Sequence, residues 1–96
     1  MISSFGDETT ADIYHGNDTK SARRIRREHW SRIQHKLDLR NACTSIEDLR
    51  IPPATRLEKL RGDLAGFYSI SVNQQYRIIF KFVNGNCEEV RCTDYH

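Results

Sequence analysis

The sequence predicts an α+β fold in which N-terminal helices pack on one face of a small, mainly antiparallel sheet. In the first half of the chain, apolar residues recur every three or four positions, the period of a helix face. In the second half they alternate, and short turn segments such as Asn84-Gly85-Asn86 separate the alternating runs. We expect a single domain over residues 1–96, helical at about 6–50 and an antiparallel meander at about 56–95.

The helical part is expected to hold four elements. Residues 2–5 can form a short first strand, and a short helix is expected between residues 6 and 16, where Gly16 closes it. One long helix from about residue 19 to 41 is predicted by the apolar positions Ala22, Ile25, Ile33 and Leu37. A last helical turn starting near Ser45 is expected to stop at Pro52-Pro53.

The meander is expected to contain four strands, at residues 56–60, 66–72, 75–83 and 87–95. In the third strand, the core face is formed by Tyr76, Ile78, Phe80 and Phe82. A three-residue loop at 84–86 is preferred to a two-residue loop because a one-residue slip would turn the last strand's core residues outward. The resulting pairs are Phe80 with Val90, Ile78 with Cys92, Tyr68 with Phe80, and Ile70 with Ile78.

Composition fits a globular chain: 38% of the residues are hydrophobic and 29% are charged. No apolar run approaches the roughly 20 residues of a membrane-spanning helix, and the polar first ten residues do not resemble a signal peptide. We therefore expect a cytoplasmic protein without a membrane partner.

The net charge of +2 hides a strong asymmetry along the chain. Residues 1–19 carry four acidic side chains and no Lys or Arg, whereas residues 20–40 carry eight basic side chains against two acidic ones. The densest part of this stretch, here called the basic segment, holds Arg23, Arg24, Arg26 and Arg27. It suits a polyanion or an acidic partner surface, although a solvated helix face has the same composition.

The three cysteines and four histidines show neither a disulfide framework nor the spacing of a zinc site. We expect free thiols that are buried or half-buried, and we expect no metal and no cofactor.

A candidate site lies on the sheet face opposite the core. The register puts Arg77 opposite Thr93 and diagonal to Tyr95, with His96 next in the chain. Lys59 and Arg61 are available from the neighbouring hairpin. Arginine stabilises phosphate charge, and tyrosine and histidine can move protons, so this set can cleave RNA without a metal. The same residues also fit an exposed sheet face on which the arginine only keeps the protein soluble.

Residues 56–63, 66–73 and 75–80, with the final Asp94-Tyr95-His96, resemble the HigB branch of the RelE-like toxins of type II toxin–antitoxin systems. The matching motifs are Leu-x-x-Leu-Arg-Gly-Asp and Tyr-Arg-Ile-x-Phe. The resemblance is close over residues 50–96 and loose over 1–49. It implies a microbial RNase fold, with the site on the concave face of the sheet, that cleaves mRNA in the ribosomal A site without a metal. It also implies a HigA-type antitoxin with a helix-turn-helix domain. This protein would then contact DNA only through that antitoxin.

The resemblance assigns roles to individual residues. Arg77 matches the sheet arginine that stabilises the scissile phosphate, and Tyr95 and His96 match the terminal pair that stacks on the nucleotide and transfers protons, with Asp94 beside them. Arg61 stands where well-known members have a lysine; because arginine stays protonated, it keeps the charge without serving as a base.

Three further positions complete the expected site. Glu58 and Asn73 stand where some members have a histidine and a second arginine, and Glu58 could act as a base or only pair with a cation. Together with Lys59 and Asp94 they are the expected substrate contacts, whereas the four arginines of the basic segment are expected to meet RNA or the ribosome. The alternative is a weakly active or non-enzymatic module of the same fold that binds RNA or a partner protein.

Overall fold

The computed structural model describes residues 1–42, 45 and 56–94. It contains two helices, α1 (Glu8–Tyr14) and α2 (Trp30–Ala42). Four strands follow: β1 (Glu58–Lys59), β2 (Phe67–Ser71), β3 (Tyr76–Val83) and β4 (Asn86–Asp94). Short 3₁₀ turns lie at Ala22–Arg24, Arg27–His29 and Gly62–Leu64.

The strands form one antiparallel sheet in the order β1-β2-β3-β4, with the helices packed on one face. The core lies between them and includes Ile13, Ile33 and Leu37 from the helices and Ile70 and Ile78 from the sheet, all fully buried. The predicted α+β architecture is confirmed. None of the helices in the described part of the chain is long and apolar enough to cross a membrane.

The N-terminal residues extend the sheet beyond β4. Ile2 bridges to Cys87 and Phe5 bridges to Val90, both in the parallel sense. The predicted first strand is thus present only as two isolated bridges. Where this segment ends, Asp7 caps α1 by accepting a hydrogen bond from the backbone N–H of Thr10 at 2.8 Å.

The predicted long helix over residues 19–41 is wrong in its first half. Ile25 and Arg26 have extended backbone, with ψ angles of 134° and 138°, so the regular helix begins only at Trp30. The carbonyl of Ile25 accepts a hydrogen bond from the Trp30 indole at 2.9 Å instead of from a helix backbone N–H. A continuous helix would also place Arg23 and Arg27 at i and i+4, where like charges repel.

The buried residues of this region were nevertheless predicted correctly. Ala22, Ile25, Ile33 and Leu37 are all buried, because the broken backbone still turns the same side chains toward the sheet. Trp30 joins them with 7% of its surface exposed.

The β2–β3 hairpin has the predicted register, with Tyr68 opposite Phe80 and Ile70 opposite Ile78. In the β3–β4 hairpin, Ile78 opposite Cys92 is confirmed but the three-residue loop is wrong. Val83 pairs with Asn86 across a two-residue Asn84-Gly85 loop. A bulge at Glu89, whose φ is +53°, restores the predicted pairing beyond it because the extra residue shifts the register by one.

Other predictions are met in part. Cys87 and Cys92 are buried, as expected. Strand β1 is shorter than the predicted 56–60. Cys43, Pro52-Pro53 and nearly all of the expected last helical turn fall outside the described residues.

Candidate active site

Arg77 is held in place on the sheet face opposite the core. It pairs with Ser71 on one side and Thr93 on the other, as predicted, and 11% of its side chain is exposed. Its Nε donates a hydrogen bond to Ser69 Oγ, and one Nη donates to the backbone oxygen of Arg56 at 2.8 Å. A guanidinium fixed in this way need not reorganise when an anion arrives.

Glu58 lies on the same face as Arg77, because it pairs with Ser69 across β1 and β2. Its Oε1 is 3.8 Å from an Arg77 Nη, and 55% of its side chain is exposed. Of the two readings open for Glu58, cation pairing is what this geometry supports directly. Because the charged atoms are 3.8 Å apart and the Glu58 side chain is largely exposed, the attraction is weak and a phosphate can replace the carboxylate.

Lys59 does not join Arg77 on its face in the way the sequence suggested. Lys59 pairs with Tyr68, which belongs to the core face, so alternation along β1 directs Lys59 away from Arg77. Arg61 is exposed and follows β1, at the start of the 3₁₀ turn Gly62–Leu64.

Asn73 shapes the turn between β2 and β3. Its Oδ1 accepts hydrogen bonds from the backbone N–H groups of Gln75 and Tyr76, both at 2.8 Å. These two bonds fix the orientation of the amide, whose Nδ2 lies 3.2 Å from Nδ1 of His29. Nδ2 can only donate, so Nδ1 of His29 is the unprotonated acceptor.

Asp94 reaches the same end of the sheet. It pairs with Tyr76 at the end of β4, and its Oδ2 accepts a hydrogen bond from the Gln75 side chain at 3.2 Å. Burial, and to a smaller degree the Asp94 charge, raises the pKa of the Tyr76 phenol. Tyr95 and His96, which follow directly, lie outside the described residues.

His29 is the residue that sequence reasoning missed. Its ring lies edge-on to Tyr76 at 5.1 Å between centroids and contacts Asn73, so it anchors the turn beside Arg77. The available signal was its place between apolar positions of the predicted helix, which indicated burial but no partner.

An open pocket of about 530 Å³ adjoins this turn. The residues lining it are Arg32, Arg56, Ser71, Asn73 and Gln74. Because Ser71 is the cross-strand neighbour of Arg77, the pocket continues from the Arg77 site toward α2. Its two arginines and two amides suit an anionic, hydrogen-bonding ligand.

The basic segment is partly neutralised by the acidic start of the chain. Asp18 accepts from Arg23 at 2.9 Å and from Arg27 at 3.0 Å, and Arg26 lies 3.5 Å from Glu28. Arg24 is exposed. Among the described residues, no three His, Cys, Asp or Glu side chains gather in a way that could hold a metal ion.

Comparison with known proteins identifies the family. The model of the RelE-like toxin of the type II toxin–antitoxin system HigB matches residues 3–96. The chain belongs to the HigB-like toxin family. The predicted resemblance is thereby confirmed.

Individual relatives agree with this assignment. The chain is 40% identical to Toxin HigB-1 of Vibrio cholerae over 85 residues, which cover 88% of this chain and 87% of that protein. It is 35% identical to Endoribonuclease HigB of Proteus vulgaris over 65 residues, 68% of this chain and 70% of that one.

Solved structures support the fold. A YoeB-YefM complex from Staphylococcus aureus matches with a TM-score of 0.56 at 16% identity, over 100% of this chain and 98% of the other. The YoeB/ParE toxin from Agrobacterium tumefaciens matches with 0.55 at 18% identity, over the whole of both chains.

Proposed function

We propose that this HigB-like toxin is an endoribonuclease that cleaves mRNA on the ribosome, with Arg77 stabilising the scissile phosphate. The observation that carries the proposal is the guanidinium of Arg77, held by Ser69 and the Arg56 carbonyl on the face opposite the core. Charge develops on the phosphate oxygens in the transition state, and a fixed, permanently charged fork stabilises it there.

The proposed reaction needs no group from outside the protein and the RNA. The ribose 2′-oxygen attacks the adjacent phosphorus and the bond to the 5′-oxygen breaks, which leaves a 2′,3′-cyclic phosphate and a 5′-hydroxyl. A base takes the proton of the 2′-hydroxyl and an acid protonates the leaving 5′-oxygen. We assign proton transfer and nucleotide stacking to His96 and Tyr95, and a second positive charge to Arg61.

The substrate contacts are proposed at the β2–β3 turn and along β1. Asn73 and Asp94 lie at the end of the sheet where Arg77 enters β3, next to the open pocket. Glu58 would yield its place at Arg77 to the phosphate. Lys59 would contact RNA only where the RNA chain passes the edge of the sheet at β1.

The ribosome is proposed to supply what the small site lacks. Arg23, Arg24, Arg26 and Arg27 form an exposed surface suited to rRNA phosphates. Positioning of the mRNA by the ribosome then replaces contacts that so short a chain cannot make. Because the proposed substrate is mRNA on the ribosome, we propose that the protein acts in the cytoplasm.

An antitoxin partner is a defining component of the type II system to which the family belongs. We propose a HigA-type antitoxin with a helix-turn-helix domain, so that this toxin meets DNA only through that partner. An acidic antitoxin surface is the alternative ligand of the four arginines.

The test maps the 5′ ends of an mRNA translated in a bacterial extract. Wild type should give cuts in phase with codons, and Arg77→Ala should lower the cleavage rate by on the order of 10²-fold or more, because one preorganised donor to the phosphate is lost. His96→Ala should lower it as well. Lys20→Ala removes an equal charge outside the site and serves as the matched control.

Two further measurements decide between the enzyme and a binding module. Circular dichroism and co-sedimentation with ribosomes show whether each variant is folded and bound. Wild type that binds ribosomes without cutting would overturn the enzyme and favour the non-enzymatic module. Naked RNA of the same sequence should stay uncut, because the protein alone does not position the reacting atoms.

A further inference from the structure

A second cationic cluster lies on the same sheet face as Arg77 and has no part in the site described above. Phe67 pairs with Lys81 across β2 and β3, and strand alternation puts both on the Arg77 face. The ammonium of Lys81 lies 5.1 Å from the centre of the Phe67 ring, and the guanidinium of Arg91 lies 5.9 Å from it. Both distances are within the range of cation–π contacts.

The Phe67 ring is in contact with two like charges, those of Lys81 and Arg91. Lys81 also pairs with Glu89 at 2.8 Å, with 39% and 52% of these side chains exposed. Glu88 lies opposite Lys81 across β3 and β4, but within residues 1–42, 45 and 56–94 Arg91 takes part in no ion pair, so its guanidinium is available to an anion. An exposed pair such as Lys81–Glu89 is worth at most about 1 kcal/mol, and a phosphate can displace the carboxylate.

The position of the cluster relative to Arg77 indicates its ligand. Lys81 is four residues from Arg77 along β3, which corresponds to about 13 Å at the usual strand rise. A few nucleotides of one single strand span such a distance, and a groove that tracks the backbone with cations is how proteins bind single-stranded RNA.

We propose that Phe67, Lys81 and Arg91 form a second phosphate subsite for the same RNA strand, a few nucleotides from the bond that Arg77 serves. Lys81 and Arg91 hold the phosphodiester, and the Phe67 ring keeps their charged groups in place. The inference rests on the proposed function, because it takes RNA as the ligand of the Arg77 face.

The experiment measures binding without cleavage. The full-length protein is titrated with a trinucleotide that carries a 2′-deoxy sugar at the cleavage position, and with the same trinucleotide extended on its 5′ or its 3′ side. Fluorescence anisotropy at several salt concentrations gives the affinity and its salt dependence.

Lys81→Ala and Arg91→Ala should each weaken binding of one of the two extended RNAs. The slope of log K against log salt should fall by about 0.7 for each lost phosphate contact. Affinity for the trinucleotide should not change, since it ends before the cluster. Phe67→Leu should weaken binding of the same extended RNA. Glu89→Gln should strengthen that binding, because it removes the ion pair of Lys81.

Lys20→Ala is the matched loss of one charge elsewhere. Equal affinities of wild type, Lys81→Ala and Arg91→Ala for both extended RNAs would overturn the subsite. So would unchanged RNA binding combined with weaker neutralisation by the cognate antitoxin, which would assign the cluster to the partner protein. Because the deoxy RNA cannot be cut, these results are independent of whether Arg77→Ala abolishes mRNA cleavage.

Discussion

Single residues of this toxin hold the turn beside Arg77. The Asn73 amide is fixed by two backbone hydrogen bonds, so its Nδ2 donates to Nδ1 of His29. This contact ties the turn next to Arg77 to the 3₁₀ turn before α2.

Cys92 gives the first prediction at this scale. Burial raises the pKa of its thiol to about 12 from 9.0, and the charges of Asp7 and Asp94 add to the effect. The folded state thus favours the neutral thiol. The resulting stability is fully present below pH 9.0 and is lost as the pH rises toward about 12, by about 1.4 kcal/mol for each pH unit.

Urea unfolding followed by circular dichroism at about pH 8 and about pH 10 tests this. Wild type should be more stable than Cys92→Ala at the lower pH, and the difference should shrink at the higher pH, because only wild type has a thiol at residue 92 that ionises on unfolding. Thr10 still accepts the backbone N–H of residue 92 in the variant, so β4 stays anchored. A difference that does not change with pH would contradict the prediction.

Among the elements, strand β4 joins the sheet to the N-terminal segment. It pairs with β3 and carries Arg91, and it also receives the N-terminal segment on its outer edge. The bulge at Glu89 lies at this junction: its N–H donates to Ser4 Oγ at 2.9 Å, and Val90 bonds the backbone of Ser4 and Gly6.

Gly6→Ala is predicted to destabilise this junction. A Cβ at residue 6 would lie 2.8 Å from the backbone oxygen of Glu89, a separation that requires the strand or the segment to move. We expect a loss of about 1–3 kcal/mol, the usual cost of forcing a group into a packed contact. Urea unfolding measures it, with Ser31→Ala at an exposed helix position as the control. An unchanged free energy of unfolding would mean that segment and bulge can separate without cost.

The elements also show what sequence could predict. Alternation in β3 and β4 was enough to put Arg77 opposite Thr93 and away from the core, because the buried set specifies the register even where the predicted loop length is wrong. The Glu89 bulge could not be foreseen, since no local residue preference indicates a glutamate with positive φ. Nor could the break at Ile25: the buried positions keep a helical period whether or not the backbone between them is helical.

The candidate site was predictable to a similar extent. The face and the central arginine followed from parity and from the family motifs. The contacts of Arg77 with Arg56, of Asn73 with His29 and of Arg91 with Phe67 depend on side-chain reach between distant segments, which periodicity does not report.

At the scale of the whole molecule, the acidic start and the basic segment are joined by two internal ion pairs. Asp18, from the acidic start, bonds both Arg23 and Arg27, and its side chain is 40% exposed. The carboxylate occupies the position that a phosphate would take on these two arginines. The proposed binding of the basic segment to RNA would therefore displace Asp18, which lowers the affinity and the number of counterions released.

Asp18→Asn is accordingly predicted to tighten binding to ribosomes and to steepen its salt dependence by about one to two units of the log–log slope, as two arginines become available to phosphates. Co-sedimentation with ribosomes across a salt series measures both quantities. Because the displaced pairs are exposed, the free energy of unfolding should change by no more than about 1 kcal/mol for each pair. Asp63→Asn, an equal charge change in the 3₁₀ turn after β1, is the control. If ribosome binding by Asp18→Asn and by Asp63→Asn has the same salt dependence, the basic segment is not the surface that contacts the ribosome. Asp18 would then contribute to folding alone.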